Sequence, residues 1–151
     1  MVCFGNICRS PTAEGVLRHL AALEAPGLEL LIDSAGTSDY HLGAPPDERS
    51  LHHALLRGID FSALRARQVE ARDYREFDLI LAMDRDNLRA LKQRVPMDSR
   101  ARLKLLLEYA PELKEIDVPD PYYGDAQGFE RVLDLTTAAA RGLLKALQER
   151  A

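Results

Sequence analysis

The stretch Cys3-Phe4-Gly5-Asn6-Ile7-Cys8-Arg9-Ser10-Pro11-Thr12-Ala13-Glu14 governs the reading of everything around it. A Cys and an Arg stand at the two ends of a loop, and the loop runs directly into a helix. Ser10 is expected as the N-cap, Pro11 suits the first helical position, and Glu14 favours the positive end of the dipole. Val16, Leu17, Leu20 and Leu23 then recur at helical spacing until Pro26-Gly27 stops the helix. Such a loop suits an anion. Its successive N–H groups point inward, and the helix start adds partial positive charge. Gly5 opens backbone conformations closed to other residues, and Asn6 tolerates the left-handed region better than most. Arg9 offers a planar fork for two phosphate oxygens, and the same positive field favours a thiolate at Cys3. A Cys and an Arg at this spacing are a weak signal alone, because Arg is abundant here. The Gly-Asn inside the run and the Ser-Pro after it make the signal strong.

Outward from this loop, apolar runs alternate with helical ones. Leu28 to Ile32 reads as a short strand ending at Asp33-Ser34-Ala35-Gly36-Thr37, and Gly43 to Pro46 as a loop. A helix is predicted from near Asp47 to Arg57, ending at Gly58. Asp78 to Met83 reads as a buried strand ended by Asp84, followed by a helix through Asn87, Leu88 and Leu91. Arg102 to Leu107 reads as a further strand. Pro111 to Asp125 reads mostly as loop, since Pro119 and Pro121 prevent regular pairing. The last helix carries Phe129, Val132, Leu133, Leu143, Leu144 and Leu147 on one face. The pattern predicts one α/β domain over residues 1–151. Its three α/β/α layers hold a four-stranded parallel sheet, with strand 1 reduced to a stub and the phosphate-binding loop after it. Sites in such folds lie beyond the C-terminal ends of strands, where Cys3, Ser34 and Asp84 fall.

Composition excludes several classes. The chain is 46% hydrophobic and 29% charged, which fits a soluble fold with a core, and its net charge of −4 argues against a nucleic-acid partner. No apolar run approaches a membrane span, and Met1 to Asn6 lacks the basic-then-apolar layout of a leader, so a cytoplasmic location is expected. Cys3 and Cys8 are the only cysteines, and no His pair follows at finger spacing, so neither a metal nor another cofactor is expected. Without their neighbours, both thiols would read as small buried hydrophobes. His19, His52 and His53 fall on helices as surface or boundary residues, while His41 falls near the expected cleft rim.

The run CFGNICRSPTAE resembles the signature of the low-molecular-weight protein tyrosine phosphatases. The similarity continues at Asp33 to Ser38 (DSAGTS), Gly43 to Asp47 (GAPPD), Arg65 to Gln68 (RARQ), Phe77 to Leu88 (FDLILAMDRDNL) and Asp120 to Asp125 (DPYYGD). The resemblance implies hydrolysis of phosphotyrosine and aryl phosphates through a phosphocysteine on Cys3. Arg9 and the loop from Phe4 through Gly5, Asn6, Ile7 and Cys8 would hold the phosphate, and Asp120 would act as general acid and then base. Tyr40, Tyr122 and Tyr123 match an aromatic rim around the substrate ring. Ser10 matches a residue that stabilises the nucleophile's thiolate, and Asn6 and Ser34 match a network holding the loop in shape. Cys8 matches a second cysteine able to form a reversible disulfide with Cys3 under oxidation. The implied partners are a phosphotyrosine protein or aryl phosphate, and inorganic phosphate as product and competitive ligand.

The chain also departs from that pattern. Family members usually carry a longer apolar first strand than Met1-Val2, so the native start is expected upstream of Met1. Leu64 stands where many relatives have a His that joins the Asn6–Ser34 network, so a water or another side chain has to satisfy those groups. Phe4 is bulkier than the usual residue and is expected to narrow the cleft. Arsenate reductases of the same fold need further cysteines, which are lacking after Cys8. Protein arginine phosphatases of the family tend to carry Thr in place of Ile7. A non-catalytic phosphate- or phosphotyrosine-binding protein is the remaining alternative.

Overall fold

The apolar run expected between Asp78 and Met83 is strand β3 (Leu79–Ala82) of the computed structural model, which describes residues 1–150. The other strands are β1 (Val2–Cys3), β2 (Ala35–Gly36) and β4 (Arg102–Leu105). All pair in parallel, in the order β2-β1-β3-β4. The helices are α1 (Arg9–Glu24), α2 (Glu48–Leu55), α3 (Ala71–Glu76), α4 (Arg85–Gln93) and α5 (Ala126–Arg150). Strand period two explains the layering. Val2, Ile80 and Ala82 meet Tyr74 of α3 and Leu91 of α4 on one face. Cys3, Leu81 and Met83 meet Val16 and Leu17 of α1 and Leu133 and Leu143 of α5 on the other. Each fully buried aliphatic contributes roughly 2 kcal/mol, so the two faces fix the register of the short strands. A one-residue slip would turn Cys3 from the α1/α5 face to the α3/α4 face.

Leu28–Ile32 is not a strand. β1 spans only Val2 and Cys3 and pairs with Ala35 and Gly36, so the ladder falls there instead. Leu28, Leu30 and Ile32 still pack against the core. A groove of about 200 Å³ lies between this segment and β3, bordered by Met1, Ile32 and Leu79. The strand expected to reach Leu107 ends at Leu105, and Leu106–Tyr109 forms a 3-10 turn. α3 falls in a segment assigned no element from the sequence. Its start was legible, because Glu70 and Asp73 form a reciprocal capping box.

The start of α1 also differs from expectation. The helix begins at Arg9, and Cys8 occupies the cap position without a side-chain cap bond. Ser10 lies in the first turn and its hydroxyl is turned toward the loop. Pro11 sits third, where its missing N–H is still one of the unpaired helix-start donors. Glu14 lies past the first turn and is buried. α2 matches its expected start, with Asp47 accepting from the Arg49 N–H as N-cap.

Candidate active site

The loop from Cys3 to Arg9 is closed around the sulfur. The Asn6 N–H donates to Cys3 Sγ at 3.2 Å, and Ser10 Oγ lies 3.1 Å from the same sulfur. Asn6 has φ 56°, the left-handed region, and is the residue that turns the loop back on itself. Gly5 is not at positive φ, so its value is room rather than backbone freedom: a Cβ there would lie 2.9 Å from His41 Cδ2. The Asn6 amide donates to Ser10 Oγ (2.8 Å) and Ser34 Oγ (3.0 Å), and its oxygen accepts from the Arg67 N–H (3.0 Å). Ser34 in turn donates to Glu14 Oε1 at 2.7 Å. These bonds close the Asn6–Ser34 network without a side chain from position 64. Leu64 instead packs against the core, and among the described residues no buried side-chain nitrogen or oxygen lacks a partner.

Arg9 is 3% exposed. Nη1 donates to Asp84 Oδ2 (2.5 Å) and to the Val118 carbonyl (3.0 Å), while Nη2 lies 3.8 Å from Asp120 Oδ2. Burial works against the Arg9 charge, but Cys3, the Asp84 hydrogen bond and Asp120 outweigh it and hold the guanidinium above its ordinary value. The sequence placed Asp84 at a strand end, where sites of such folds lie, but gave it no role there. It does two jobs: Oδ1 caps α4 through the Asn87 N–H, and Oδ2 holds Arg9. The clue was its place after β3, beside the other strand ends. Val118 ties the same corner to β3, since its N–H donates to the Met83 carbonyl.

A cleft of about 410 Å³ opens over the loop. It is lined by Cys3, Phe4, Gly5, Ile7, Cys8 and Arg9 below, and by Tyr40, His41, Asp120, Tyr122 and Tyr123 at the rim. Phe4 is half exposed at its mouth. The aromatic rings form a continuous wall. Tyr40 and His41 have centroids 5.6 Å apart, His41 and Tyr122 6.4 Å, and Tyr122 and Tyr123 4.9 Å. His41, set at the rim by the sequence, stands in the middle of that wall. The Tyr122 N–H donates to Asp120 Oδ1, which shapes the turn. The Arg49 guanidinium stacks over both Tyr122 and Phe129 while gripped by Asp47. The Asp47 N–H donates to the Ile7 carbonyl, so this cluster joins the loop to the acidic rim. Burial, helped by Asp47, pushes the Cys8 thiol up to about 12, so it stays protonated. No cluster able to hold a metal ion occurs among the described residues, and no described helix is long and apolar enough to cross a membrane.

A thiol circled by an amide and a hydroxyl, with a tethered guanidinium at one side, defines a site for a tetrahedral oxyanion. Comparison with known proteins identifies which kind. The family model of the low molecular weight phosphotyrosine protein phosphatases matches residues 1–151. A low molecular weight protein-tyrosine-phosphatase of Streptomyces coelicolor is 43% identical, with 98% of this chain and 92% of that protein covered. A solved protein tyrosine phosphatase of Entamoeba histolytica superposes with a TM-score of 0.92 at 37% identity, covering 98% of this chain and 94% of the other. A Drosophila arginine phosphatase superposes with a TM-score of 0.90 at 28% identity, covering 97% and 95%. The chain belongs to the low molecular weight phosphotyrosine protein phosphatase family, and it is a cysteine-dependent phosphatase.

Proposed function

We propose that the protein hydrolyses phosphotyrosine through a phosphocysteine on Cys3. The Cys3 thiolate attacks phosphorus, and the bond from phosphorus to the phenolic oxygen breaks. Asp120, entering as the acid, gives its proton to that oxygen. A water then attacks the phosphocysteine, Asp120 takes its proton, and phosphate leaves as Cys3 recovers the thiolate. Loop amides and Arg9 carry the charge on the three non-transferring oxygens, and the Ser10 hydroxyl stabilises sulfur as leaving group. The observation that carries this reading is the single corner holding Cys3 Sγ, Ser10 Oγ, the Arg9 fork and Asp120 together. The wall of Tyr40, Tyr122 and Tyr123 suits an aryl group, and inorganic phosphate would compete for the loop.

The arginine phosphatase neighbour keeps phosphoarginine open as a second reading. Ile7, buried and lining the cleft, favours the aryl ester. Rates on phosphotyrosine, phosphoserine and phosphoarginine peptides measured side by side separate the two. A preference for phosphoarginine overturns the first reading. Absence of Cys3-dependent turnover of p-nitrophenyl phosphate at pH 5–7, with Cys3→Ser as control, overturns catalysis and leaves a phosphate-binding protein.

A further inference from the structure

We propose that Asp117 is a positioning residue for Asp120: tied to Arg85 at the start of α4, it holds the stem of the acid loop so that the Asp120 carboxylate stays beside the Arg9 fork. The inference rests on the phosphatase reading of the site and adds a pair of residues that reading does not use.

Asp120 has little of its own to keep it in place. Its side chain is 53% exposed, and Arg9 Nη2 is 3.8 Å away. Among the described residues its carboxylate accepts only from the Tyr122 N–H. A general acid has to lie within hydrogen-bond reach of the leaving oxygen, so the position must come from the backbone that carries it. That backbone is stiff. Val118 precedes a proline and is confined to extended conformations, Pro119 has its φ fixed by its ring, and Pro121 restricts Asp120 as Pro119 restricts Val118. With only Val118 and Pro119 between them, a hold on Asp117 is passed on to Asp120.

Asp117 is held on both carboxylate oxygens. Oδ1 accepts from the Arg85 N–H at 2.8 Å, and Oδ2 accepts from Arg85 Nη2 at 2.9 Å and Nε at 3.2 Å. The Arg85 N–H is one of the donors that the start of α4 leaves without a partner inside the helix, and a helix start favours negative charge. The Arg85 side chain is exposed, and an exposed ion pair alone would be worth little. The backbone bond makes the difference, because it fixes Asp117 to an element of the fold rather than to a flexible side chain. Burial raises the Asp117 carboxyl, but the hydrogen bonds and charge of Arg85, helped by Arg9, hold it below the usual carboxylate range, so the anchor stays ionised in mild acid. The preceding residue completes the geometry. Asp84 holds Arg9 Nη1 while Arg85 holds Asp117. Two consecutive residues after β3 therefore fix both the phosphate grip and the stem of the proton donor, and set the spacing between them.

Asp117→Ala removes all three bonds. Arg85→Met removes the two from the side chain and leaves the backbone N–H. The readout is kcat/KM of the full chain on two esters, which follows the steps up to departure of the phenol. Phenyl phosphate has a basic leaving group that needs the acid, whereas 2,4-dinitrophenyl phosphate leaves without a proton. Asp117→Ala is expected to lower kcat/KM about tenfold on phenyl phosphate, a fraction of the roughly hundredfold or more that an acid supplies, and less than about twofold on the dinitrophenyl ester. Arg85→Met should show the same selectivity with a loss of about threefold, and serves if Asp117→Ala folds poorly. Competitive inhibition by inorganic phosphate should be unchanged in both. In an Asp120→Asn background, Asp117→Ala should cost nothing further, because a misplaced acid and an absent one are equivalent. A merely structural pair would slow both esters alike and act regardless of Asp120. Equal losses on the two esters, wild-type kcat/KM on phenyl phosphate in both variants, or an undiminished loss without the Asp120 carboxyl would each overturn the proposal. Absence of Cys3-dependent turnover in the wild type would remove the phosphatase reading itself, a failure distinguishable from these because it precedes any substitution.

Discussion

Arg9→Lys keeps the charge and removes the fork, so it isolates geometry from electrostatics. In the native site one nitrogen, Nη1, is occupied by the scaffold through Asp84 Oδ2 and the Val118 carbonyl. Nη2 is 3.8 Å from Asp120, outside hydrogen-bond distance, and so remains free on the cleft side. A lysine has a single nitrogen with three donors. It can stay on Asp84 and Val118 or turn to the phosphate, but it cannot do both. Long-range attraction for the dianion is nearly unchanged, because the net charge is the same. What is lost is the bidentate grip on the phosphate, about 1.5–3 kcal/mol for each hydrogen bond to a charged partner. Losing both lowers kcat/KM by roughly a hundredfold to ten-thousandfold, with each 1.36 kcal/mol counting as tenfold. Stability should move little, since the ammonium still satisfies Asp84 and the carbonyl, and urea unfolding should show a change of about 1 kcal/mol or less. Arg9→Ala should differ by losing both activity and stability, because it leaves Asp84 half-buried without its partner. If Arg9→Lys kept kcat/KM within tenfold of wild type, or lost as much stability as Arg9→Ala, this division of labour within the guanidinium would be wrong.

Asp120→Asn should lower kcat on phosphotyrosine by about a hundredfold or more and flatten the limb of the pH profile that reports the acid, with much less effect on esters of acidic phenols that leave without a proton. Iodoacetate at pH 7 should add a single carboxymethyl group, on Cys3, because burial keeps Cys8 protonated until about pH 12; peptide mapping that found Cys8 labelled first would contradict this. Burial pushes the Asp73 carboxyl up, but the hydrogen bond from Arg67 and the Glu70 N–H outweigh it and hold Asp73 below the usual carboxylate range. A lowered folded value contributes stability that is complete above the unfolded value of about 3.9 and fades as pH falls through the folded one. The unfolding midpoints of wild type and Arg67→Met should therefore differ more at pH 7 than at pH 3, and an equal gap at both would refute the pairing. Gly142→Ala would place a Cβ 1.8 Å from the Tyr109 carbonyl oxygen, so despite the better helix propensity of Ala it should destabilise by about 1–3 kcal/mol or more in thermal melts.

The loop and the sheet were legible because their signals are local. The chemistry of residues 3–10 and the unbroken apolar run at Leu79–Met83 need no distant partner to be read. What escaped depends on pairing across the chain. Leu28–Ile32 has strand composition, yet a strand exists only where a neighbour lies beside it, and β1 offers pairing only at Ala35 and Gly36. Ser10 has N-cap chemistry, yet its oxygen is more strongly placed between Cys3 Sγ and the Asn6 amide than it would be at the helix start. Asp84 and Glu14 are ordinary acids in sequence. Their roles appear only when β3 brings Asp84 to Arg9 and when the chain after Ile32 brings Ser34 to Glu14.

The topology explains why the chemistry collects at Cys3. From β1 the chain passes through α1 to β2 on one side, and the later crossover returns it to β3 on the other. β1 is therefore the point where the winding reverses, and the segments leaving β1, β2 and β3 diverge around its C-terminal end. Each diverging segment supplies one part of the site. β1 gives Cys3 and the loop, the approach to β2 gives Ser34 behind Asn6, and β3 gives Asp84, which fixes Arg9. Val118, hydrogen-bonded to Met83 just past β3, carries the chain to Asp120 two residues later. The distance between the guanidinium and the candidate acid is thus set by a backbone bond to the sheet. A substitution that loosens the Met83–Val118 contact should separate Asp120 from Arg9 while leaving the Cys3 loop closed, so it should slow reactions of basic leaving groups more than it weakens phosphate binding.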